Sequence, residues 1–221
     1  VAPDYILVDS TICKEFTTLC IDAIKKMYGK SNSIINNKDY CKIVNSEHFE
    51  RLVKKIKKTV DIGDEIIYGG EYDYEKSYIG PTLIRCEKSS YIMQEEIFGP
   101  ILPILKFDKF DKAISIIKNK QAPLAAYLFS GDKNKIDHFK VSVKSGAICI
   151  NDLALHLVHN RLPFGGVGKS GIGRYHGKFG FDEFSNEIPV IKNINNSPLT
   201  LLYPPYTKKV RKMVNIVRKL F

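Results

Sequence analysis

Between residues 101 and 150 the chain alternates short apolar runs with helical periodicities, and this alternation restricts its fold more than any other feature. Ile101–Phe107 reads as a strand. Asp108 or Asp111 then caps a helix carrying Phe110, Ile114 and Ile117. Residues 124–129 read as a strand, Asp132 caps a helix with Ile136, Phe139 and Val143, and 146–150 read as a strand again. Strands of this length joined by helices need right-handed crossovers, so the expected fold class is α/β, a parallel sheet with flanking helices. The glycine-rich stretch 151–180 follows the last strand, where loops at the carboxyl ends of an open sheet gather ligands.

Upstream, 5–8 reads as a strand and Ile12, Phe16, Leu19, Ile24 and Met27 recur at helical spacing until Gly29. A second helix is expected over 38–59. Glu65–Tyr68 reads as a strand ended by Gly69-Gly70, and 78–85 as an edge or irregular strand because Pro81 interrupts it. After Ile191 an Asn-rich linker precedes an apolar stretch, 199–203, and Pro204-Pro205. From Thr207 a basic tail carries Val210, Met213, Val214, Val217, Leu220 and Phe221 at helical spacing. Three segments are expected: 1–185 as the main domain, 186–206 as a linker with an apolar strand, and 207–221 as an amphipathic helix.

Composition narrows the class of function. With 44% hydrophobic residues the 221-residue chain can bury a core, and no apolar run reaches the ~20 residues that cross a bilayer. The net charge of +10 raises a nucleic-acid reading. Lysines such as Lys54, Lys55, Lys57 and Lys58 fall on the expected wet face of a helix, however, so no nucleic-acid partner is assigned. Five cysteines without a C-x-x-C pair fit reduced thiols and a cytoplasmic setting. Cys149 lies in a strand-like run and is expected to be buried and inert. His156 and His159 lack a third ligand at suitable spacing, so no metal is expected. The tail helix could dock on its own domain, meet a dimer partner or lie on an anionic membrane surface; the first two are favoured.

Two glycine motifs carry the chemistry. Gly168-Lys169-Ser170 ends like a phosphate-binding loop, but Pro163 stands where the first glycine belongs, and nucleotide triphosphate binding is rejected. Gly166, Gly168 and Gly171 satisfy G-x-G-x-x-G without a buried strand leading in. The longer strings are more specific. Glu95-Glu96-Ile97-Phe98-Gly99-Pro100, and Pro163-Phe164-Gly165-Gly166 through Ser170-Gly171-Ile172-Gly173-Arg174, resemble the aldehyde dehydrogenases. Tyr175-His176-Gly177-Lys178 with Phe181-Asp182, and Tyr203-Pro204-Pro205-Tyr206, are similar to the class 3 or fatty aldehyde dehydrogenase branch.

That resemblance implies NAD(P)-dependent oxidation of aliphatic or aromatic aldehydes to acids, with NAD or NADP as cofactor. It implies that Glu96 accepts hydrogen bonds from the nicotinamide ribose, a role suited to an acceptor-only carboxylate, and that Phe98 packs near the nicotinamide. Phe164 would border the aldehyde, and Asn151 fits the strand-end asparagine region on the substrate side. In the family a cysteine thiolate attacks the aldehyde, hydride passes to the cofactor and a glutamate-activated water hydrolyses the thioester. By the same comparison the cysteine and the glutamate are expected upstream of Val1. No catalytic residue is then assigned within the chain, which is expected to be inactive alone and to form a homodimer through its C-terminal segment. The alternative is a non-catalytic truncated subunit that binds a full-length paralogue. His156 departs from the apolar residue expected near the pocket, and the basic tail has no clear family counterpart.

Overall fold

Apolar residues on both sides of four strands create a sheet with two greasy faces. In the computed structural model, which describes residues 3–29, 34–193 and 203–219, this sheet contains β1 (Ile6–Asp9), β2 (Glu65–Tyr68), β5 (Thr82–Arg85) and β6 (Ile101–Phe107). The spatial order is β1-β6-β5-β2, with β6 parallel to both neighbours and β2 antiparallel to β5. A separate two-stranded ribbon pairs β3 (Tyr72–Asp73) with β4 (Tyr78–Ile79).

The two faces bury different helices, as the two-residue period of a strand requires. Val8, Leu83 and Ile104 pack with Phe16, Cys20, Ile21 and Ile24 of α1 (Cys13–Tyr28). Ile84, Ile101 and Leu105 face the other way, onto Phe49, Leu52, Val53 and Ile56 of α2 (Ser46–Asp61). Gly29 ends α1 at φ 93°, its N–H reaching Lys25 O.

A second parallel pair, β7 (Ala125–Leu128) and β8 (Ala147–Ile150), is joined through α4 (Lys133–Ser142) and covered by α3 (Phe110–Lys118). Ile114, Ala126, Phe139 and Val143 form its core. Asp132 caps α4, accepting from Asn134 N at 2.8 Å and Lys135 N at 3.3 Å. The short helices α5 (Leu155–Val158) and α6 (Gly177–Glu183) follow.

Several expectations need correction. The helix expected over 38–59 begins only at Ser46, because Asn45 accepts from His48 N at 2.8 Å and caps it there. Residues 78–85 are two strands, and the second is an interior strand with Thr82, Leu83 and Ile84 buried. Pro81 precedes that strand, where its missing N–H costs no ladder bond. Neither Asp108 nor Asp111 caps α3; Lys109 occupies the N-cap without a side-chain bond. The expected α/β class with parallel strands and flanking helices holds, with an antiparallel β2 at one edge and β7–β8 as a sheet of their own. Lys55 is buried at 2% exposure, not on a wet face.

The chain divides into Val1–Glu183 and Phe184–Phe221. Within the second unit, Thr207 caps α7 (Lys208–Val217), accepting from Val210 N at 3.4 Å. The apolar stretch 199–202 lies outside the described residues. Among the described residues no helix is long and apolar enough to cross a membrane.

Candidate functional site

The first motif occupies the crossover from β5 to β6, and α2 holds it in place. Ile97 is its anchor, 2% exposed in the core with Leu52 and Ile56, and its N–H donates to Asp4 Oδ1 at 2.8 Å. With Ile97 turned inward, Glu96 and Phe98 on either side are exposed. Phe98 sits at φ 50°, a left-handed conformation unusual for a bulky residue, and its ring is 76% exposed. Gly99 lies so close to α2 that a Cβ there would stand 2.6 Å from Leu52 Cδ1. Pro100 then accepts from Thr82 N at 2.8 Å, and the chain enters β6.

Two side chains of α2 grip this turn from below. Arg51 Nη1 donates to Glu96 O at 3.1 Å and Nη2 donates to Ile97 O. His48 Nε2 lies 2.6 Å from Phe98 O. One turn further on, Lys55 Nζ pairs with Glu95 Oε2 at 3.4 Å and lies 5.5 Å from the Tyr91 ring centroid. That pairing explains how a lysine between Leu52 and Ile56 is buried. It also leaves the Glu96 carboxylate outside any ion pair among the described residues. An unspent acceptor-only group beside an exposed aromatic plane fits a ribose diol and a flat nicotinamide ring.

The second motif begins where β8 ends. Asn151 stands at φ 58°; its Oδ1 accepts from Ser130 N at 2.8 Å and its Nδ2 donates to Ser130 O at 3.0 Å. Asn151 is thus a joint between the ends of β7 and β8, with both polar side-chain atoms engaged. Phe164 is fixed by a two-way backbone bridge to Tyr175, at 2.9 and 2.8 Å. Its ring stacks with two imidazoles, His156 at 5.8 Å and His176 at 5.6 Å, each at 23°. Tyr175 meets it edge-on at 5.4 Å.

Glycines permit the approach. A Cβ on Gly146 would lie 2.2 Å from Gly165 O, and one on Gly166 2.0 Å from Ser170 O, so this loop closes only with glycine. Arg174 secures it through Gly166 O and Gly173 O. Beside α5 an open depression of about 450 Å³ is lined by Leu155, Val158, His159, Asn160 and Arg161.

His156 is 7% exposed, and burial lowers its pKa below the ordinary imidazole value. Its Nδ1 lies 3.3 Å from Cys149 Sγ, and its Nε2 is buried without a partner among the described residues. Cys149 is therefore half-buried and faces an imidazole, in place of the wholly buried thiol expected from its strand-like sequence. Burial pushes the Cys86 thiol up to about 12 and raises Cys20 as well.

Sequence reasoning passed over His48, Arg51 and the position of His176 against Phe164. The spacing of His48 and Arg51 on one helical face was visible, but nothing in the sequence shows what that face covers.

Comparison with known proteins agrees with this geometry. The model of the aldehyde dehydrogenase family matches residues 1–189. The chain is 44% identical to aldehyde dehydrogenase family 3 member H1 of Arabidopsis thaliana, over 98% of this chain and 45% of that protein. A solved structure described as the substrate-bound state of Staphylococcus aureus AldH superimposes with a TM-score of 0.87 at 39% identity, covering 98% of this chain and 46% of the other. Glyceraldehyde-3-phosphate dehydrogenase GapN of Methanocaldococcus jannaschii, solved with NADP, gives 0.73 at 30% identity, covering 83% and 39%. The chain thus spans about half the length of the curated relatives it matches.

Proposed function

The chain belongs to the aldehyde dehydrogenase family, and from that premise we propose that it forms the C-terminal portion of an enzyme oxidising aldehydes to carboxylic acids with NAD or NADP. The observation that carries this reading is the exposed Glu96–Phe98 pair, presented on a turn whose backbone is pinned to α2. Glu96 would hold the nicotinamide ribose through its hydroxyls, and Phe98 would lie against the nicotinamide ring. When bound, the nicotinamide supplies the acceptor for hydride from the aldehyde carbon.

Phe164 would form one wall of the aldehyde pocket, where an aromatic face excludes water and grips an apolar chain. The exposed Leu155 and Val158, on the same helix α5 as the His156 that stacks on Phe164, would favour aliphatic or aromatic aldehydes. Asn151 would shape the pocket by fixing the end of β8 rather than through a free amide.

The nucleophile and general base would come from outside these 221 residues. Two of the five thiols support this: burial disfavours the Cys86 thiolate, and Cys149 faces an imidazole made a weaker base by burial. The second unit would mediate homodimer contact, the favoured role for its basic helix α7. The purified chain, given hexanal or benzaldehyde with NAD or NADP, should produce no reduced cofactor. Turnover abolished by alkylating Cys149 would overturn this assignment of the nucleophile.

A further inference from the structure

The hydrogen bonds beneath the Glu96–Phe98 turn do more than fill valences. Arg51 has only donors, so its Nη2, 3.1 Å from His48 Nδ1, obliges that nitrogen to accept. The ring proton of neutral His48 then sits on Nε2, where it donates to Phe98 O at 2.6 Å. One tautomer therefore satisfies the whole chain of bonds. Three consecutive carbonyls, those of Glu96, Ile97 and Phe98, are held by two side chains three residues apart on α2. The same helix excludes a side chain at Gly99 through Leu52, and the His48 ring meets Phe98 edge-on at 6.1 Å.

We propose that His48 and Arg51 are positioning residues for the cofactor: a clamp that fixes Glu96 and the left-handed Phe98 in the geometry that receives the nicotinamide riboside. This rests on the reading of Glu96 and Phe98 as cofactor contacts. The contacts of both clamp residues on this turn are to its backbone carbonyls and the Phe98 ring, so each would act through the residues that receive the cofactor. A carboxylate aligned before binding loses little freedom when it binds, so loosening the turn weakens the productive complex without removing a contact atom.

The test is steady-state kinetics on the intact enzyme containing this chain, with thermal melting of every variant. Arg51→Ala and His48→Leu should each raise the KM for cofactor by about tenfold or more, the scale of at least one lost hydrogen bond under the turn. The KM for aldehyde should stay within about twofold, a split that general loss of structure would not give. His48→Gln should restore the parental cofactor KM, because its amide nitrogen can donate to Phe98 O while its oxygen accepts from Arg51. Equal effects of His48→Leu and His48→Gln would overturn the clamp, as would unchanged cofactor KM in Arg51→Ala. Glu96→Gln is the control. If it leaves cofactor KM and kcat untouched, the cofactor reading itself fails; if it raises that KM while the α2 variants do not, only the clamp fails.

Discussion

Phe98 combines two unfavourable features: a left-handed backbone, costing roughly 1–2 kcal/mol for a side chain with a Cβ, and an aromatic ring left largely in solvent. Such a residue persists where its surroundings over-determine it, and the carbonyls on and before it are bonded to α2. Its identity was legible from the run Glu95–Pro100, but its strain was not, since φ follows from Ile97 turning inward and Arg51 reaching up. His156 shows the opposite case, an imidazole flagged by sequence whose partner, Cys149, appears only once β8 and α5 are placed. Burial lowers its pKa, so the unfolded chain takes up the proton first as pH falls. Its contribution should be intact above the unfolded histidine value of about 6.5 and decline as pH drops toward the lower folded value. His156→Leu should therefore flatten the loss of melting temperature between about pH 7 and pH 5 relative to the parent. An unchanged slope would mean that His156 titrates normally in the folded protein.

Helix α2 links packing to the site. Its apolar stripe, Phe49, Leu52, Val53 and Ile56, was readable from spacing, and so was its existence. Its start was not, because Asn45 is one of many polar residues in 36–48 and only the fold selects it as the cap. Lys55 misled for a related reason: four lysines in five residues look solvated, yet a buried ammonium can be held by Glu95 and the Tyr91 face. The close contact of Leu52 with Gly99 makes a testable coupling. Leu52→Ala should cost about 2–5 kcal/mol as a core truncation, and Gly99→Ala should destabilise by forcing Leu52 aside. The double variant should then be less destabilised than the sum, by at least about 0.5 kcal/mol in denaturant unfolding. Strict additivity would show that the turn does not rest on Leu52.

At the scale of the molecule, the two motifs stand on different supports within the first unit. Glu96 and Phe98 are carried on the crossover into the central strand β6, and Phe164 follows the end of β8 in the second parallel pair. The strands β2 and β6 were read correctly to the residue, since short apolar runs bounded by glycines or polar residues mark them. Their partners were not readable, because register and sheet order depend on contacts between segments far apart in the chain, and Pro81 disguised an interior strand as an edge. Phe164 follows the carboxyl end of β8, whereas Glu96 sits before the start of β6. Separate supports imply separable functions. The measurement that tests this most directly is the pair of Michaelis constants, for cofactor and for aldehyde, in Glu96→Gln and Phe164→Ala of the enzyme containing this chain. The account predicts that Glu96→Gln raises the cofactor constant by about tenfold or more and spares the aldehyde constant, while Phe164→Ala does the reverse. If both variants move the same constant, or neither moves either, the assignment of the two turns to two reactants is wrong.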